Sequence, residues 1–172
     1  VIRPDILLTE EGFKITELDS VPGGIGLTAW LNRSYFEAGS NVIGGPTGMI
    51  DGFSGIFGNA EKIRMIVSDE SATYRPEMEW IAEQIGSDRC SVHNQDYINF
   101  KEGDALYRFF ELFDLANIPA AENIFQRAIE QKINITAPPK TFLEEKMTFG
   151  LFHNRNLSDA WRQQLGDNFK NT

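Results

Sequence analysis

The chain has 172 residues, 41% hydrophobic and 24% charged, which is enough for one domain with a real core, or one domain and a small appendage. Its formal charge of −9 comes without a basic stripe anywhere, which argues against a nucleic-acid backbone as partner. No apolar run approaches the roughly 20 residues of a membrane span, the start lacks a signal-peptide pattern, and the single Cys90 excludes disulfide stapling and cysteine-rich metal sites; a cytoplasmic protein is expected.

The first residues read as a strand that begins at Val1 without a methionine, so a fragment of something longer is expected. Two runs, Asp5 to Thr9 and Phe13 to Leu18, flank Glu10-Glu11-Gly12. A three-residue loop with a left-handed glycine last is a standard hairpin closure. That turn pairs Thr9 with Phe13, Leu7 with Ile15, Asp5 with Glu17 and Arg3 with Asp19. Alternate strand residues share a face, so all four charged side chains gather at one end of the ribbon. Like charges placed opposite each other destabilise a sheet. Asp5 against Glu17, with Asp19 beside them, therefore asks for a cation, and a hard oxygen-seeking ion such as Mg²⁺ suits three carboxylates.

Pro22-Gly23-Gly24-Ile25-Gly26 follows and opens a helix over 27–38, with Leu27, Trp30, Leu31 and Tyr35 spaced for one buried face. Free backbone N–H groups at such a helix start suit an anion, which makes Gly23, Gly24 and Gly26 candidates for a phosphate or substrate loop. Asn41-Val42-Ile43 reads as a short strand or extended piece, and Met49, Ile50, Phe53, Ile56 and Phe57 as an amphipathic helix. A strand over 63–67, a helix started by Pro76 and ended by Gly86, a strand over 90–93 and another over 105–113 come next. A helix over 121–131 and a strand over 133–136 continue the rhythm, which argues for an α/β layer with a mainly parallel sheet flanked by helices. After Pro138-Pro139, two helices are expected near 140–152 and 158–166, the second capped by Ser158.

The pattern Arg3-x-Asp5, then Glu17-x-Asp19, then a Pro- and Gly-rich turn resembles the circularly permuted ATP-grasp ligases related to glutathionylspermidine synthase. The resemblance implies that Asp5, Glu17 and Asp19 are Mg²⁺ ligands and that Arg3 faces the phosphates of ATP as a catalytic group. Asp19 stands where the family often has Asn, which adds a negative charge. Looser similarities are Ser68-Asp69-Glu70, the Tyr74-x-x-Glu77 pair, Tyr107-Arg108-Phe109 and Glu145-Lys146. The implied reaction phosphorylates a carboxylate with ATP and lets an amine attack the acyl phosphate to form an amide. The implied fold is pre-ATP-grasp-like, with residues 1–60 forming part of a metal half-site and 61–172 a substrate-side α/β domain. The lysine-bearing ATP lid of that family has no counterpart before Thr172, so the chain alone is expected not to turn over.

Two rival readings stand beside this one. A non-catalytic α/β domain would use the acidic hairpin to bind a cation or simply face water. A dinucleotide-binding oxidoreductase module would use Gly24, Gly26 and Ala29, but its fingerprint needs a parallel βαβ strand just before the loop. Arg108 is a candidate for a substrate carboxylate, against an edge salt bridge. Glu70, Ser71 and Tyr74 follow strand 63–67, where parallel sheets bind ligands, against an ordinary polar loop. His93 and His153 show no metal spacing and no obvious Ser or Cys partner, Cys90 reads as a buried small hydrophobe, and Trp30, Trp80 and Trp161 sit at helical core spacings.

Overall fold

The computed structural model describes residues 3–166, so Val1 and the end of the chain lie outside it. The chain divides into two compact units. One runs from Ser20 to Pro139; the other joins Arg3–Asp19 to the residues from Lys140 onward. Val21, Ile25, Phe53 and Phe57 share one core with the strands that follow them.

In the second unit, β1 (Arg3–Thr9) pairs antiparallel with β2 (Gly12–Asp19) as a two-stranded sheet. The first unit begins with α1 (Ile25–Glu37) and α2 (Gly48–Gly55) and continues with β3 (Ile63–Val67), α3 (Arg75–Ile85), β4 (Cys90–Asn94), β5 (Ala105–Phe109), α4 (Ala121–Ile129) and β6 (Asn134–Thr136). Its four strands form a parallel sheet in the order β4-β3-β5-β6. The chain leaves β3 to one side for β4, then crosses back to build β5 on the other. The strand order therefore reverses at β3 and β5. The second unit is completed by α5 (Thr148–Phe152) and α6 (Ser158–Leu165).

Period-two alternation explains the core. Ile63, Met65, Val67, Ala105, Tyr107 and Phe109 face one cluster with α1, α2 and α3 residues, while Ile66 and Leu106 face another with Phe110, Ile118 and Ile124. Both faces of the sheet are thus covered, which is why β3 and β5 read as nearly continuous apolar runs. Cys90 is buried within this core, and burial pushes its thiol up to about 12.

Several local expectations need correction. Residues 41–43 form no strand: among the described residues they belong to neither sheet, and Ile43 is almost fully exposed. The run 105–113 leaves the sheet after Phe109 and turns into a 3₁₀ segment, Leu112–Asn117, that exposes Phe113. The expected helix over 140–152 is a 3₁₀ turn, Thr141–Leu143, and then the short α5. Ser158 is the first residue of α6 rather than its cap. On α1, the buried residues are Ile25, Gly26 and Ala29, and Leu27, Trp30 and Tyr35 are exposed. Small residues let that face lie close to α3, and close approach outweighs side-chain size in choosing it.

Candidate functional site

At the charged end of the hairpin, Arg3 stands opposite Asp19 and Asp5 opposite Glu17, the expected pairs. The route to that register differs from the expected one. Thr9 pairs with Gly12 across a two-residue Glu10-Glu11 loop, so Leu8 meets Phe13 and Ile6 meets Ile15. Gly12 has φ +109°, a backbone state that side chains rarely adopt. Carried on unbroken, this register would set Asp5 against Thr16 and turn the acids to opposite faces. A bulge between Asp5 and Ile6 leaves Thr16 as the extra residue and restores the acidic pairing. The Thr16 hydroxyl donates to the Asp5 carbonyl at 3.2 Å.

The charges then pair among themselves. Arg3 Nε donates to Asp5 Oδ1 at 2.9 Å and Arg3 Nη2 to Asp19 Oδ2 at 3.2 Å. Lys146, also in this unit, puts Nζ 2.9 Å from Glu17 Oε1. Glu17 first, then Asp19 and Asp5, raise the Lys146 pKa, so all three carboxylates act on one ammonium. The cation that the facing acids ask for is supplied in part by side chains. Their oxygen chemistry suits Mg²⁺, but among the described residues no three His, Cys, Asp or Glu side chains converge as a metal site.

The Gly-rich loop in the other unit is held from inside. Gly24, with φ +80°, is the N-cap of α1 and has no side chain to offer. The carboxylate of Glu77 on α3 takes that role. Its Oε1 accepts from the Gly24 amide at 2.7 Å and its Oε2 from the Leu27 amide at 2.9 Å. An acid at a helix N-terminus is stabilised by the free N–H groups and the helix dipole. Of the amides expected to receive a phosphate, that of Gly24 already holds an anion that belongs to the protein. Tyr107 Oη donates to the Pro22 carbonyl at 3.3 Å, and Gly23 lies over the Tyr74 ring. The strand before the loop, β2, is antiparallel and pairs with β1, so the context required by the dinucleotide fingerprint is missing.

Arg108 is not at an edge. It lies on β5 between β3 and β6, fully buried. Nε donates to the Ala137 carbonyl at 3.2 Å, Nη1 donates to the Phe110 carbonyl, and the guanidinium rests over the Phe110 ring. Backbone carbonyls are among its partners, and its place is the interior of the sheet rather than an edge.

His93 does have a serine partner. Ser91 Oγ lies 2.8 Å from His93 Nε2 and accepts from Arg64 at 2.9 Å, while Arg64 also pairs with Asp104. Residues 91 and 93 share a strand face, so the i, i+2 spacing on β4 was the available signal. Burial, then Arg64 and Arg75, hold the His93 imidazole below its ordinary value of 6.5. Because the folded pKa is the lower one, the unfolded chain takes up the proton first. This contribution to stability is intact above pH 6.5 and is lost as pH falls through that value toward the folded one. Urea midpoints measured at about pH 7.5 and 5.5 should fall in the wild type by more than in His93→Gln; equal drops in both would refute the assignment.

No protein-family model and no curated protein matches this chain. Among the described residues no helix is long and apolar enough to cross a membrane.

Proposed function

We propose that this chain carries the phosphate-facing hairpin and the adjoining α/β domain, pre-ATP-grasp-like, of an ATP-dependent carboxylate–amine ligase of the circularly permuted ATP-grasp type. The observation that carries the reading is the bulge that returns Arg3, Asp5, Glu17 and Asp19 to one face after the turn has put them out of register. Bulges re-aim side chains and collect beside functional sites. In this reading Arg3 faces the transferring phosphoryl group, and Asp5, Glu17 and Asp19 meet the magnesium that ATP brings as part of the substrate. Positively charged groups at a transferring phosphoryl are among the strongest contributors to such reactions. Glu77 gives the Gly-rich loop a structural task instead of a phosphate-binding one.

A non-catalytic α/β binding domain is the second reading, favoured by the way Arg3 and Lys146 already engage the carboxylates. Amine- and carboxylate-dependent release of ADP, followed in the protein that carries this chain, separates the two. Asp5→Ala and Glu17→Ala should each lower that rate by about 100-fold or more. Wild-type rates in both variants would sink the ligase reading.

A further inference from the structure

The hairpin has a second face, and it is apolar. Alternate strand residues point the same way and directly opposed residues share a face. The pairs Pro4–Leu18, Ile6–Ile15 and Leu8–Phe13 therefore gather six apolar side chains on the side away from Arg3, Asp5, Glu17 and Asp19. All six are exposed, Leu8 at 73% and Phe13 at 76%. The bulge that assembles the acids also clears this face of charge. In the unshifted register Glu17 would stand opposite Pro4; with the extra residue Leu18 takes that place.

Among the described residues β1 and β2 pair only with each other. A two-stranded sheet is at best marginally stable in water and needs its apolar face covered. Counting about 150–250 Å² for a wholly exposed large side chain, the six present roughly 500 Å² of apolar surface. A stable interface takes about 800 Å² from each partner, of which about 60% is non-polar, so this face supplies the apolar share of one. Its occupant must be apolar over the same area, because a charge set against it would be buried without a partner. A second copy of the face meets both conditions, and two-fold pairing places one patch against itself.

We propose that the chain forms a two-fold dimer in which two hairpins stack apolar face on apolar face, with Leu8 and Phe13 buried in the contact. The charged face stays outward, so the proposal goes beyond the ligase reading and does not depend on it. Each copy carries a formal charge of −9. Repulsion between the copies opposes the dimer, so screening by salt strengthens it, the reverse of what a complex held by ion pairs does.

The test is sedimentation velocity on the full chain from about 1 to about 200 µM, at about 0.15 and about 0.5 M NaCl. A monomer–dimer equilibrium that tightens at the higher salt is expected. Leu8→Glu and Phe13→Glu each put a charge on the face and should weaken the dimer at least about tenfold. Leu7→Glu makes the same change on the other face of β1, opposite Lys14, and should alter it by less than about twofold. Circular dichroism checks that each variant folds, and Ile15→Glu replaces either face variant that does not. The proposal is overturned by a monomer throughout the range, whatever else covers the face. It is equally overturned by a dimer that no face variant weakens, by one that Leu7→Glu weakens as much, or by one that dissociates as salt rises.

Discussion

Tyr107→Ala is expected to lower the free energy of unfolding by about 3–5 kcal/mol, near the ceiling for a single core truncation. The ring is completely buried on β5 and meets Phe53 edge-on at 5.0 Å, Phe57 edge-on at 6.2 Å and Phe109 stacked at 6.0 Å. Removing it leaves a cavity between the sheet and α2 that these rings cannot close without leaving their own contacts. Tyr107→Phe separates the hydroxyl from the ring. It keeps the aromatic cluster and deletes the hydroxyl with its hydrogen bond to the Pro22 carbonyl, so a loss of about 1 kcal/mol is expected. Denaturant melts of both variants decide the matter. If the two cost the same, the ring is not the keystone of this core. The hydroxyl variant has a second use, because it loosens one attachment of the Gly-rich loop while leaving the sheet intact.

Legibility followed the range of the interaction. The parallel sheet was readable because both faces of β3 and β5 are apolar and each element is local in sequence. The acidic pairing at the hairpin's end agrees with the expected one because the bulge offsets the shorter turn, and that path was not readable. Glu10-Glu11-Gly12 accommodates either loop length, and the Thr16 bulge depends on backbone geometry that no side-chain pattern encodes. On α1, Leu27, Trp30 and Tyr35 make the larger apolar stripe, yet Gly26 and Ala29 mark the face that packs. Hydrophobic size was the wrong signal where backbones approach closely. A longer-range case is Glu77, which lies 53 residues beyond the Gly24 amide it holds. A helix start with no capping side chain of its own looks the same in sequence whether its anion is a ligand or a distant glutamate. The acidic hairpin posed the same ambiguity, since Lys146 lies still further along the chain from Glu17.

Gly26→Ala tests the clasp between the loop and α3 directly, and here two effects oppose each other. In an ordinary helix the change favours folding by roughly 0.5–1 kcal/mol, because alanine restricts the unfolded chain and suits the helix. At position 26, however, an added Cβ would collide with the Glu77 carbonyl oxygen and lie 2.8 Å from its carbonyl carbon. These are backbone atoms inside α3 and cannot swing aside as a side-chain tip could. Overpacking against rigid neighbours costs about 1–3 kcal/mol, and the shift that relieves it also pulls Gly24 and Leu27 away from the Glu77 carboxylate. The collision therefore wins, and Gly26→Ala is expected to destabilise by about 2 kcal/mol net. Gly52→Ala in α2 is the matched control. A Cβ there meets nothing within 4 Å, so the same substitution should be neutral or stabilising by up to about 1 kcal/mol. Glu77→Ala completes the set: it leaves the close approach intact and removes only the cap, at about 1 kcal/mol. Urea midpoints ranked with Gly52→Ala highest, Glu77→Ala next and Gly26→Ala lowest would support the clasp. A Gly26→Ala variant as stable as the wild type would show that α1 and α3 do not approach as closely as the Glu77 contact requires.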